Sequence, residues 1–250
     1  ALAGFDLGGL AISSNEVVEK DWAEYWKRFY KPFRIGTSLV VRPTWEEYQA
    51  EAGDVVIDLD PGLAFGTGTH ETTALCAELI EKHYAGGTVL DVGTGSGAIA
   101  LAIKHLRPDA QVTAVDISPH AVALASDNAR ACGLDVEILQ GDGFVPVLGR
   151  RFDVIVSNPP YIPSRELPHL QQEVQDEPAL ALDGGADGLD FYRRLFGQAP
   201  QHLKPAGHLV VELGDHQAQD VKTLAGQDFY GVLVYDDLAG LPRALAAQLR

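Results

Sequence analysis

Thr88-Val89-Leu90-Asp91-Val92-Gly93-Thr94-Gly95-Ser96-Gly97 is a short apolar run that breaks into three alternating glycines and opens into Ala98-Ile99-Ala100-Leu101-Ala102-Ile103. A buried strand that feeds a glycine loop and then a helix is the opening unit of a doubly wound sheet. Gly93, Gly95 and Gly97 carry no Cβ to keep a ligand away from the backbone amides at the start of the helix. A plain strand-to-helix turn has the same local pattern, so the chain beyond it must decide. Apolar strands are predicted over residues 111–115, 136–139, 152–157, 207–213 and 229–235, with helices over 120–132, 190–199 and 218–224. Strands separated by helices of about 10–15 residues form parallel βαβ units. The predicted fold is α/β and Rossmann-like, a seven-stranded, mostly parallel sheet with helices on both faces.

Ahead of this region, Asp21-Trp22-Ala23-Glu24-Tyr25-Trp26-Lys27-Arg28-Phe29-Tyr30 puts aromatics at helical offsets and predicts a short amphipathic helix that Lys31-Pro32 ends. Leu39-Val40-Val41 and Val55-Val56-Ile57-Asp58-Leu59 predict strands of a small separate layer, and 72–84 a further helix. The expected division is an N-terminal appendage over 1–60 and a catalytic domain over 61–250.

A formal charge of −16 over 250 residues argues against unaided binding to nucleic acid, which depends on Lys and Arg displacing counterions. A protein or small-molecule substrate is expected instead. Cys76 and Cys132 have no CxxC or Cys/His grouping around them, so neither a disulfide framework nor a metal site is predicted, and reduced cytoplasmic thiols are expected. No apolar run reaches the ~18 residues of a membrane-spanning helix. The absence of Met suggests a piece of a longer translation product.

Asp116 follows the glycine loop by about twenty residues at the end of the next strand, where a carboxylate accepts hydrogen bonds from both hydroxyls of a ribose. Asp142, after the third strand in Gln140-Gly141-Asp142, is placed to meet an adenine amino group. Nicotinamide dinucleotides and S-adenosylmethionine share this layout. The dinucleotide pattern is G-x-G-x-x-G, whereas this loop reads Gly93-x-Gly95-x-Gly97 after Asp91. It resembles the first motif of class I S-adenosylmethionine-dependent methyltransferases, which implies that Asp91 helps hold the methionine end. The same resemblance adds Thr94, Ile117, Gly143 and, from the loop described next, Asn158 to the expected cofactor contacts.

The strand over 152–157 runs into Asn158-Pro159-Pro160-Tyr161. A planar amide nitrogen is a poor nucleophile because its lone pair is delocalised, so a site that methylates it must orient it. The Asn158 carboxamide oxygen and the Pro159 carbonyl each accept one N–H, Pro159 and Pro160 stiffen the loop, and Tyr161 is expected to wall a planar group. A rigid turn at a strand end accounts for the same tripeptide where no cofactor loop accompanies it. With a neutral sulfide as leaving group, no metal is required.

From about Gly86 to the end, the chain resembles bacterial release factor glutamine methyltransferases. The matching stretches are residues 90–97, Ala114-Val115-Asp116-Ile117-Ser118, Ser157-Asn158-Pro159-Pro160-Tyr161-Ile162-Pro163, Glu177-Pro178-Ala179-Leu180-Ala181-Leu182 and Gly184-Gly185-Ala186-Asp187-Gly188-Leu189-Asp190. The resemblance implies methylation of a Gly-Gly-Gln glutamine amide held by Asn158 and Pro159. Residues 21–82 are instead similar to the methyltransferase that modifies large-subunit ribosomal protein eleven. Trp22, Tyr25-Trp26-Lys27, Pro43-Thr44-Trp45 and above all Asp60-Pro61-Gly62-Leu63-Ala64-Phe65-Gly66-Thr67-Gly68-Thr69-His70-Glu71-Thr72 carry that likeness. It implies that Phe65, Gly66 and Thr67 line the cofactor pocket, although Thr69 as a helix cap explains part of the stretch without a ligand.

Glu173, Asp176 and Glu177 are expected on a solvated helix face, although the glutamine-family resemblance implies that the Glu177-Pro178 segment lies near the substrate loop. The glycine-rich run over 183–188 is expected as a turn before a helix, with a substrate-contacting role as the alternative, and Glu212 as a strand-end carboxylate. The expected activity is transfer of a methyl group from S-adenosylmethionine to a glutamine amide of a translation protein. Lysine or amino-terminal methylation of a ribosomal protein is the alternative, followed by adenine amino methylation, which the charge disfavours. A cofactor-binding scaffold without turnover is the non-enzymatic alternative.

Overall fold

The strand that opens the glycine loop is central to a seven-stranded sheet. The computed structural model describes residues 31–35, 39–43, 45–51, 54–59, 87–170, 174, 177–226, 228–237 and 240–250. In chain order the strands are β1 (Phe33–Ile35), β2 (Leu39–Pro43), β3 (Val55–Leu59), β4 (Thr88–Val92), β5 (Gln111–Asp116), β6 (Glu137–Gln140), β7 (Phe152–Ser157), β8 (Leu203–Glu212), β9 (Phe229–Asp236) and β10 (Pro242–Leu249). The helices that matter for the site are α1 (Ala98–Leu106), α2 (Pro119–Cys132), α3 (Asp190–His202) and α4 (Ala218–Ala225). The predicted helices over 21–30 and 72–84 lie outside the described residues.

The large sheet runs in the order β6-β5-β4-β7-β8-β10-β9. All neighbours from β6 to β8 are parallel, and β10 pairs antiparallel with both β8 and β9. Period-two alternation sorts the buried residues onto the two faces. Leu90, Val92, Val115, Ile155, Leu209, Val211, Leu245 and Ala247 point one way, to Tyr192, Leu195 and Phe196 of α3 and Val221 of α4. Val89, Val112, Ala114, Val154, Val156, Val210, Ala244 and Ala246 point the other way, to Ile99, Ala100 and Ile103 of α1. The α/β class I fold expected from the sequence is therefore the one observed.

The seventh strand is the element that the sequence reading did not place. Pro242-Arg243-Ala244-Leu245-Ala246-Ala247-Gln248-Leu249 is rich in alanine and leucine, both strong helix formers. Intrinsic preferences of this kind amount to about 1 kcal/mol per residue or less. Ala244, Leu245, Ala246 and Ala247 are buried on both faces and β10 is hydrogen-bonded along both edges, which outweighs the preference.

A second sheet, β1-β2-β3, forms the small layer foreseen near the N-terminus. Val41 of β2 and Ile57 of β3 meet Leu101 and Ala102 of α1 and Ala129 of α2. The stacking order is therefore α3 and α4, the large sheet, α1 and α2, then the small sheet. Helix α2 starts cleanly because Ser118 Oγ accepts from the Ala121 amide at 3.3 Å and Pro119 occupies the first turn, where its missing N–H costs nothing.

The chain moves from β4 outward through β5 and β6, then returns to place β7 on the other side of β4. That reversal is the switch point at which open α/β sheets bind ligands beyond the carboxyl ends of their strands. Asp91 pairs with Val156, so the loops that begin at Gly93 and Asn158 leave two adjacent strands at the same level. Ser157 Oγ ties them together by donating to the Val92 carbonyl at 2.7 Å.

Candidate functional site

A cavity of about 270 Å³ opens between these two loops. Its wall takes Gly93 and Gly95 from the glycine loop, Asp116 and Ile117 from the end of β5, Asp142 and Gly143 from the loop after β6, and Asn158 and Pro160 from the loop after β7. Pro178, Leu180, Asp183, Phe191 and Arg194 close the far side. Seven of the residues expected from the sequence thus share one wall: Gly93, Gly95, Asp116, Ile117, Asp142, Gly143 and Asn158.

The wall fits a nucleoside cofactor. Gly93 has φ +76, and a Cβ there would meet nothing within 4 Å, so the space beside its backbone is free for a ligand. Asp116 braces the loop from below: its Oδ2 accepts from the Gly95 amide and its Oδ1 from the Ser118 amide, both at 2.8 Å. Each carboxylate oxygen has a further lone-pair site for a ribose hydroxyl. Ile117 is 45% exposed, a large apolar side chain that a flat base would cover.

Other expected cofactor residues lie behind the wall. Asp91 is fully buried beneath the loop, where Thr94 Oγ1 donates to its Oδ2 at 2.7 Å and its Oδ1 has no partner among the described residues. Burial pushes its carboxyl up to about 7, against the opposing hydrogen bond from Thr94. Thr94 is itself buried and serves Asp91. Gly97 caps α1 where a Cβ would stand 3.1 Å from the Ala125 Cβ, so its glycine is needed for the approach of α2. Phe65, Gly66 and Thr67 lie outside the described residues.

At the start of the loop after β7, Asn158 Oδ1 is buried and has no hydrogen-bond partner among the described residues, although the residue borders the cavity. An orphaned acceptor of this kind costs about 1–3 kcal/mol unless a ligand or water satisfies it. Pro159 is buried and off the wall. Tyr161 differs from the expectation of a flat wall. Its ring turns away from the cavity and packs against the core beneath α3, with its hydroxyl hydrogen-bonded to Glu212. Burial, with the Glu212 charge beside it, holds the phenol well above its ordinary range, so Tyr161 stays neutral.

The comparisons with known proteins bear on this site. A family model described as ribosomal protein L11 methyltransferase (PrmA) matches residues 3–180. The chain belongs to this family. The ribosomal protein L11 methyltransferase of Pelotomaculum thermopropionicum is 51% identical over 151 residues, 59% of this chain and 48% of that protein. The release factor glutamine methyltransferase of Geobacter sulfurreducens is 43% identical over 182 residues, 72% of this chain and 64% of that protein. The crystal structure of a ribosomal protein L11 methylase from Lactobacillus delbrueckii subsp. bulgaricus aligns with a TM-score of 0.63 and 29% identity, covering 88% of this chain and 100% of that one. The chain spans about half the length of the L11 methyltransferases it matches. Relatives of both names that the sequence resembles are therefore present, and S-adenosylmethionine is the cofactor that belongs with this family and fold.

In this L11 methyltransferase family member, residues that no motif marks hold the loop after β7 and the end of β8 beside it. Gln217 Nε2 donates to the Tyr161 carbonyl at 2.9 Å and to the Gly188 carbonyl at 3.3 Å. Tyr192 hydroxyl donates to the Glu212 carbonyl at 2.8 Å and accepts from the Gly214 amide at 3.3 Å. The glycine-rich run before α3 is more than a turn, since Gly184 and Gly188 lie directly against the Tyr161 backbone. Only the density of glycine hinted at this close approach.

Glu177 corrects a second expectation. It is 9% exposed, with Oε2 unpartnered among the described residues, and burial pushes its carboxyl up to about 7. Glu173 and Asp176 lie outside the described residues. Between the ordinary glutamate value of 4.5 and about 7, the folded chain binds a proton that the unfolded chain releases. Stability therefore falls as pH rises through that window and stays reduced above it, by up to about 3 kcal/mol. Glu177→Gln removes this penalty: the variant is expected to unfold at higher urea than the parent at pH 8 and at nearly the same urea at pH 4.5. Equal midpoints at pH 8 would place Glu177 in water.

Proposed function

We propose that the chain is an S-adenosylmethionine-dependent protein methyltransferase whose acceptor is a glutamine side-chain amide of a translation protein, the Gly-Gly-Gln loop of a release factor in particular. Bound S-adenosylmethionine supplies an electrophilic methyl on a sulfonium. Asp116 would hold the ribose, Ile117, Asp142 and Gly143 the adenine, and the glycine loop, braced from behind by Asp91 through Thr94, the methionine end, with residues 65–67 expected to line the cofactor pocket. Asn158 Oδ1 and the Pro159 carbonyl would accept the two amide N–H groups, which orients the nitrogen without taking a proton from it in advance.

The orphaned Asn158 Oδ1 carries this reading. The state of the wall's carboxylates supports it, because an amine substrate arrives protonated and must first lose a proton to a base. Asp116 serves two loop amides, Asp142 pairs with Arg194, and Asp190 pairs with Arg193. Asp183 accepts from Ser164 Oγ and the Gly185 amide, which hold its carboxyl below the usual range and make it a weak base. Among the described residues, no His, Lys, Cys or Tyr lines the cavity.

The second reading is methylation of amino groups of a ribosomal protein, favoured by the family model over residues 3–180. The deciding experiment is a radiolabelled methyl-transfer assay with purified release factor and purified ribosomal protein L11 side by side, followed by mass mapping. Label on the glutamine amide is the expected result; label on lysine or an amino terminus would replace the first reading with the second.

The boundary near residue 60 is part of the same proposal, with 1–60 as an appendage that serves the protein substrate. No residue before Val92 lines the cavity among those described. A chain lacking 1–60 is expected to lose transfer to protein and, because β1-β2-β3 packs against α1, to bind S-adenosylmethionine more weakly. Transfer to protein at the parent rate would mean that 1–60 does not serve the substrate.

A further inference from the structure

Arg194 closes the end of the cavity where Asp142 lies, and no motif in the sequence marks it. It sits on the fifth residue of α3, 52 positions from Asp142, and its Nη2 donates to Asp142 Oδ1 at 2.5 Å. The same nitrogen stands 3.5 Å from where a Cβ on Gly143 would be, so the guanidinium lies along the Asp142-Gly143 backbone. Phe191, three residues earlier on α3, borders the same cavity with its ring centroid 5.8 Å from the guanidinium carbon. Both partners of the ion pair are 50% exposed at the side chain. Pairs exposed to that degree contribute little to stability, because water competes for each partner and two mobile side chains must be held still. What the pair does achieve is geometric: a carboxylate that rotates freely at a cavity mouth is tied at one oxygen to a helix.

We propose that Arg194 is a positioning residue for the adenine of the cofactor, acting through Asp142. It fixes the carboxylate by Oδ1 and leaves Oδ2 as the acceptor for the exocyclic 6-amino group. A carboxylate only accepts, so a purine that presents a 6-oxo group in place of the amino group sets acceptor against acceptor. Discrimination between the two then depends on helix α3 as well as on the loop after β6. The inference rests on the S-adenosylmethionine site and is independent of which nitrogen is methylated.

Equilibrium binding of S-adenosylhomocysteine and its 6-oxo analogue, S-inosylhomocysteine, to the full chain tests this without turnover. Arg194→Ala is expected to weaken the adenosine ligand about five- to tenfold, in line with loss of one charge-assisted contact, and to leave the inosine ligand nearly unchanged. Arg194→Lys recovers part of the loss, because a point charge holds the carboxylate without the fork. In the Asp142→Ala background, Arg194→Ala has no further effect. An equal loss for both ligands would show a merely structural role, and tighter binding of S-adenosylhomocysteine would show that Arg194 competes with adenine for Asp142; either result overturns the proposal. Arg194→Gln, measured with the same two ligands, decides between these outcomes if the alanine variant folds poorly.

Discussion

Asn158→Ala lowers the rate of methyl transfer by about 10²–10³ while S-adenosylmethionine binding stays within about threefold of the parent. This result is expected because Asn158 Oδ1 is a buried acceptor with no partner among the described residues, at the point where the β7 loop meets the cavity. Its loss leaves an incoming amide with one acceptor in place of two, free to rotate its lone pair out of line. The contacts expected for ribose and adenine come from the ends of β5 and β6 and are untouched. Single-turnover transfer with equilibrium binding of the cofactor separates the two quantities. Equal loss of both would mean that Asn158 belongs to the cofactor half of the cavity alone, and would remove the ground for an amide acceptor.

Gly188→Val is expected to cost about 3–5 kcal/mol of stability and most of the transfer activity. Gly188 has φ +78, a conformation that a β-branched residue adopts only under strain. A Cβ there would stand 2.4 Å from the Tyr161 carbonyl oxygen and 2.5 Å from Gln217 Nε2. The first contact is with backbone, which cannot swing aside as a long side chain does. Relief requires moving the Tyr161 peptide, and with it the loop that begins at Asn158. Urea denaturation and transfer rate measured on the same preparation test the link. A valine variant as stable and as active as the parent would mean that the 184–188 turn does not bear on the substrate loop.

Asp116 and Asp142 were legible because strand ends in a doubly wound sheet follow from periodicity, and the ligand crevice follows from the order of the strands. The place of the loop at Asn158 was legible for the same reason, since its strand pairs beside the glycine-loop strand, whereas its likeness to known methyltransferases rested on the resemblance of Asn158-Pro159-Pro160-Tyr161 alone. Helix α3 brings Phe191 and Arg194 to the wall from 50 residues away, and spacing along the chain carries no trace of that. Tyr161 was misplaced because a tyrosine beside two prolines suits an exposed wall or a core equally well. Only the acceptor at Glu212 and the glycines behind it decide which. Glu177 was misread for a related reason: three acidic residues in five positions suggest solvent, and burial of one of them is a tertiary fact.

The small sheet has a consequence for the glycine loop. Helix α1 lies between two layers, with Ile99 and Ile103 against the large sheet and Leu101 and Ala102 against Val41 and Ile57. A helix held on both sides cannot recoil, and the loop that opens it is fixed at its other end by β4, by Asp116 below and by hydrogen bonds from the Gly93 and Thr94 amides to the Val115 carbonyl. The loop backbone that borders the cavity is therefore preorganised. Little conformational entropy is lost when a ligand settles against it, so more of each contact made there is retained as affinity.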